Sequence, residues 1–103
     1  MKVVVKLTNR ELTIWLAFIV LSAPERYRRG AYLYRTVYFA MKRLALILRS
    51  KSVEQKDKYR ISIHQELGSA FIAHCDNTGD VEVEPEAMVT INRIIGMIDQ
   101  QLN

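Results

Sequence analysis

Residues 59–75 read YRISIHQELGSAFIAHC, and the period assigned to them decides between two kinds of protein. Tyr59, Ile61 and Ile63 alternate with Arg60, Ser62 and His64, the pattern of a half-buried strand. Ser69–Cys75 reads as a second strand. Asp76-Asn77-Thr78-Gly79 then fits a type I turn closed by a glycine with positive φ, a common hairpin connection. Asp80–Glu84 returns with Val81 and Val83 inward and Glu82 and Glu84 outward. Three consecutive strands make an antiparallel meander. The competing reading takes the helical period. Ser52 with Gln55 forms a capping-box pattern, and Ile63, Leu67 and Phe71 recur four apart. A helix over 53–75 would leave a mostly α protein.

On either side of this stretch the pattern is clearer. Lys2–Leu7 carries the β-branched run Val3-Val4-Val5 and reads as a strand. Thr8-Asn9-Arg10-Glu11 is a capping box, with Leu7 and Leu12 placed for a hydrophobic staple. A helix over 9–22 follows. Its segment Trp15–Leu21 is apolar on every side, so burial on more than one face is expected. Pro24 cannot continue that helix but suits the start of another. The second helix is expected over about 25–49, roughly 36 Å long, with a core stripe of Leu33, Val37, Ala40, Leu44 and Leu48. Pro85 and Glu86 open a last helix with the stripe Met88, Ile91, Ile95, Ile98 and Leu102. The expected architecture is a single α+β domain over 1–103 in the order β-α-α-β-β-β-α, a meander sheet packed by helices.

The chain has 103 residues and a formal net charge of +4, unevenly spread. Residues 1–75 hold 14 basic and 5 acidic groups, whereas 76–103 hold 1 basic and 6 acidic. Cys75 is the single cysteine, so no intramolecular disulfide can form. Its expected role is that of a small buried apolar residue, with Asp76 beside it opposing thiolate formation. The apolar run after Lys2, Lys6 and Arg10 covers about a dozen residues, short of the roughly 20 that span a bilayer. A soluble, cytoplasmic protein is expected.

The densest signal for function lies between Arg26 and Val53, where eight basic residues occur without an acidic one, together with four of the five tyrosines. Arg28, Arg35, Lys42 and Arg49 are each seven apart and line one side of the second helix, flanked by Arg29 and Arg43. Tyr32, Phe39 and Leu46 interleave at the same spacing. Arginines neutralise phosphates, and exposed rings stack on bases. The bland alternative is a solvated face with arginine stems lying along apolar surface. A third is a self-association surface, since interfaces favour Tyr, Phe, Met and Arg.

Other constellations are thinner. His64, His74, Cys75 and Asp76 are the only cluster of metal-ligand types, and they lack the second ligand pair of a zinc site. Glu82, Glu84 and Glu86 form an acidic line that reads as a solvated edge. Gly30, Gly68, Gly79 and Gly96 are isolated, so phosphate-binding loop motifs are absent, as is any nucleophile motif. The expectation is a non-catalytic accessory protein without cofactor or metal. It would bind nucleic acid, DNA or RNA, through Arg28, Arg29, Arg35, Lys42, Arg43, Arg49, Tyr32 and Phe39, as a homodimer. The alternative is an inhibitor or adaptor docking the same helix on an acidic protein.

Overall fold

The computed structural model describes residues 1–23, 32–76 and 83–102, with the side chains of 32–34 outside that description. The described elements run β1 (Lys2–Thr8), α1 (Asn9–Ser22), α2 (Tyr32–Ser52), β2 (Lys58–His64), α3 (Gln65–Asp76) and α4 (Pro85–Leu102). The protein is α+β, with one two-stranded antiparallel sheet packed by helices.

Both strands alternate, and their apolar sides coincide. Val3, Val5 and Leu7 stand opposite Ile63, Ile61 and Tyr59, and all six are buried. The other edge of β1 is closed by α4. Val4 donates its N–H to Gln101 Oε1 at 2.7 Å, and Gln101 Nε2 donates to the Val4 carbonyl at 2.7 Å. One side-chain amide thus stands in for a third strand.

The capping box forms as the sequence implies. Glu11 donates its N–H to Thr8 Oγ1 at 3.2 Å, and Thr8 donates its N–H to Glu11 Oε1 at 2.9 Å. The start of α1 is also tied to the approach to β2, because Asn9 donates its N–H to the Asp57 carbonyl at 2.9 Å. Burial along α1 is narrower than its composition suggests. Leu12, Trp15, Phe18 and Ile19 face inward, whereas Val20 and Leu21 are 49% and 74% exposed.

The core line of α2 is Tyr38, Met41, Leu44, Ala45 and Leu48. Leu44 and Leu48 agree with the expected stripe, Val37 and Ala40 are half-buried at its margin, and the side chain of Leu33 lies outside the described residues. The end of α2 comes three residues later than expected, and the expected start lies outside the described residues.

The meander is not formed, because residues 65–76 are helical rather than extended. The strand Tyr59–His64 stands, but Ser69–Cys75 belongs to α3. The physical reason is the spacing of its large groups: Leu67, Phe71 and His74 are all buried on one helical face. As a strand, the segment would bury a single large side chain, Phe71, beside Ala73 and Cys75. His64 starts the helix directly, its Nδ1 accepting from the Glu66 N–H at 3.3 Å. Gly68 lets α3 approach closely; a Cβ there would stand 2.9 Å from Ile98 Cγ2 and 3.3 Å from Val3 Cγ2. The expected turn at 76–79 and most of the return strand 80–84 lie outside the described residues. Val83 and Glu84 are in no strand.

In α4 the buried residues are Ile91, Ile94 and Ile98. Ile94, outside the expected stripe, is buried, whereas Met88 is 37% exposed. Ile95 and Leu102 are half-buried against the core. The apolar groups of all six elements form one cluster. Within the described residues no helix is long and apolar enough to cross a membrane.

Phe71 is fully buried and meets Trp15 and Phe18 edge-on, with ring centroids 5.5 and 6.2 Å apart. Phe71→Ala is expected to lower stability by about 3–5 kcal/mol, read as a shift of the urea midpoint. A loss under about 1 kcal/mol would contradict the helical packing of α3.

Candidate nucleic-acid interface

The cation-bearing side of α2 faces outward. Arg35, Lys42, Arg43 and Arg49 are exposed. At 3.6 residues per turn, Phe39 and Leu46 fall between the line Arg35–Lys42–Arg49 and Arg43. Both apolar groups are accessible, at 49% and 62%. The guanidinium groups of Arg35, Arg43 and Arg49 have no ion-pair partner among the described residues. Lys42 Nζ lies 5.5 Å above the ring of buried Tyr38, which meets Phe39 edge-on at 5.4 Å. This holds the Phe39 ring from beneath and leaves part of it open. Arg28 and Arg29 lie outside the described residues, as does the side chain of Tyr32.

Two grooves border this ridge. One, of about 500 Å³, runs between α1 and α2 and is lined by Ile19, Val20, Lys42, Leu46 and Arg49. The other, of about 550 Å³, lies between α2 and the β2–α3 junction and is lined by Phe39, Ala40, Arg43, His64 and Glu66. Among the described residues Glu66 places the one carboxylate in either lining. The rest of the combined lining is cationic, apolar or neutral polar, as at Thr36 and His64.

The other candidate groups are separated by the fold. His64 stands on the exposed side of β2, while His74 is buried on α3. Among the described residues no three His, Cys, Asp or Glu side chains are close enough to hold a metal ion. The Cys75 thiol is pushed up to about 12, first by burial and then by the Asp76 charge, so it carries no thiolate near neutral pH. Glu84 is in no strand and stands just before α4, where its backbone carbonyl accepts from the Met88 N–H at 3.0 Å. The Glu86 carboxylate pairs with Arg10. Glu82 lies outside the described residues.

One buried polar pair escaped the sequence reading. Ser22 Oγ lies 2.6 Å from the Phe18 carbonyl and 2.8 Å from His74 Nε2. The hydroxyl has one proton, which goes to the carbonyl, so His74 donates from Nε2. This tie joins α1 to α3 across 52 residues. It is structural, because the imidazole nitrogen facing the hydroxyl holds a proton and cannot act as its base. A second tie, between Arg93 and Glu11, fastens α4 to the capping box. Burial pushes the Glu11 carboxyl up, but the Thr8 N–H and Arg93 outweigh it and hold the group below its ordinary value.

No family model, curated protein or solved structure matches this chain.

Burial holds the His74 imidazole below its ordinary value. The folded state then binds less proton than the unfolded chain, and stability rises with pH across that gap. The contribution is complete above a pH of about 6.5 and is lost as pH falls through that value toward the folded-state one. Urea midpoints between pH 7.5 and 5 should fall with acid in the wild type, with a shallower slope in His74→Phe. Equal slopes would contradict the assignment.

Proposed function

We propose that this chain is a small, non-catalytic, cytoplasmic accessory protein that binds nucleic acid through the outward side of α2 and works as a homodimer. The observation that supports the reading is the make-up of that side. Arg35, Lys42, Arg43 and Arg49 are exposed around a half-open Phe39, and α2 carries no carboxylate. Such a face neutralises phosphates and releases counterions, which favours any polyanion at moderate salt. The cations spread over about 21 Å of helix, which suits contacts to the backbone rather than readout of one base step. Phe39 adds a ring for an unpaired base at the margin of that track. For a second copy, the flank of α1 turned from α2 offers apolar surface. Exposed Leu21 borders a groove of about 320 Å³ with Ile14, Ala17, Val83 and Ala87.

One observation favours a second reading, an adaptor or inhibitor that docks on an acidic protein. Val20 and Leu46 are exposed beside Lys42 and Arg49 in the α1–α2 groove. An apolar slot rimmed by cations suits an acidic amphipathic segment. Residues 76–103, with 6 acidic groups and 1 basic one, would repel a long duplex laid across them, and this weighs toward the second reading unless the duplex is confined to the cationic faces.

Fluorescence anisotropy with labelled single- and double-stranded DNA and RNA over a salt series separates the two readings. Nucleic-acid binding is expected to weaken steeply with salt. The double variant Arg35→Ala, Arg49→Ala should lose affinity for every sequence alike and flatten the logarithmic salt slope by about two. No binding at low salt, or an unchanged slope in the variant, would remove α2 as a nucleic-acid face and leave the adaptor reading.

A further inference from the structure

The outward face of the two-stranded ribbon is a second cationic surface. Its residues are Lys2, Val4, Lys6 and Thr8 on β1, opposite His64, Ser62, Arg60 and Lys58 on β2. None is acidic and none carries a large aromatic ring. Lys2, Lys6, Lys58 and Arg60 are exposed, and none makes an ion pair among the described residues.

The register brings the like charges together. Both backbone bonds of Val4 go to Gln101, so Val4 and Ser62 form a pair without mutual hydrogen bonds. The same alternation makes Lys6 and Arg60 such a pair, the type in which facing side chains are closest. Like charges directly opposite on one sheet face are destabilising. Beside them is a groove of about 460 Å³, lined by Lys6, Lys58, Arg60, Arg93, Thr8 and Glu11. Among the described residues Glu11 is the only carboxylate there, and it is committed to Arg93 and the Thr8 amide. The remaining cations face solvent unopposed. The ribbon's last outward residue, His64, also lines the groove shared with Phe39 and Arg43. The ribbon face and the α2 face therefore meet there.

We infer that the outward ribbon face binds the phosphate backbone of a double-stranded nucleic acid, extending the α2 surface through the His64 groove. This inference rests on the nucleic-acid reading of α2 and adds the form of the ligand. A single strand is held by stacking successive bases on rings, whereas the ribbon face offers Lys, Arg, Thr, Ser and Val4, with the His64 imidazole only at its end, and Phe39 stands apart on α2. A duplex keeps its bases stacked inside and presents phosphates, and a two-stranded β-ribbon is narrow enough to enter a major groove. The open edge of β2 adds donors. Arg60 and Ser62 point their N–H groups away from β1, and neither has a partner among the described residues.

The test compares salt slopes for one labelled duplex and the matching single strand. The proteins are the wild type, Lys6→Gln with Arg60→Gln, and the α2 pair Arg35→Ala, Arg49→Ala. The ribbon variant should flatten the duplex slope by about two, in addition to the loss from the α2 variant, and bind the single strand nearly as the wild type does. Lys6→Glu alone guards against misfolding, because it sets a carboxylate opposite Arg60. Its thermal midpoint should hold or rise while duplex affinity falls. An unchanged duplex slope in the ribbon variant, with loss in the α2 variant, would overturn this inference and leave the α2 reading standing. Preference for the single strand would overturn the assignment to a duplex. Absence of binding by the wild type would overturn both.

Discussion

Val3, Val5 and Leu7 must face Ile63, Ile61 and Tyr59 across a separation of more than fifty residues, and the remaining elements are positioned by that pairing. A slip of one residue in either strand would turn that strand's apolar row to solvent and its cations toward the core. The register also fixes two helix starts. Thr8 and Asn9 launch α1 at the end where β1 meets the approach to β2. At the other end the Gln65 N–H donates to the Met1 carbonyl at 3.0 Å, so α3 begins against the first residue. With both helices started there, Trp15, Phe18 and Phe71 meet between them. The pairing that buries one side of the ribbon necessarily gathers Lys2, Lys6, Lys58 and Arg60 on the other.

A ribbon of two strands is marginal alone, and its edges need management. The structure treats them differently. The β1 edge is occupied by Gln101 and by Glu11. The β2 edge is left to charge: Lys58 and Arg60 oppose pairing with another strand and leave the Arg60 and Ser62 amides open. The same residues that discourage strand addition are the cations that, in our proposal, meet phosphate. On α2 a comparable division holds. Its inner side supplies Met41, Leu44 and Leu48 to the core, and among the described residues its outer side supplies cations, small polar groups and the exposed apolar side chains Phe39 and Leu46.

Much of this was legible locally. The strand Lys2–Leu7, the Thr8–Glu11 capping box and the helix 9–22 depend on neighbours in sequence, and they form as read. The outward placement of Arg35, Lys42, Arg43, Arg49 and Phe39 follows from helical spacing alone. Ser69–Cys75 reads as a strand but lies within α3, because a short apolar run fits either period. What decides it is packing: Gly68 slips between Val3 and Ile98, and no local pattern records that. The Ser22–His74 tie joins residues 52 apart and has no sequence signal beyond two polar residues at otherwise apolar helix positions. The ribbon cations were visible as an alternation with Val3, Val5, Ile61 and Ile63. They become one surface only when the strands are paired, whereas the basic residues of the second helix are dense in the sequence itself.

We propose that exposed cations on α2, joined by those of the ribbon, are the surface that meets nucleic acid. Lysine acetylation footprinting, with and without a saturating duplex, tests this most directly. Lys6, Lys42 and Lys58 should be protected, while Lys56, already paired with Glu54 at 3.2 Å, should react equally in both states. Uniform reactivity at Lys6, Lys42 and Lys58 with the duplex bound would contradict the account.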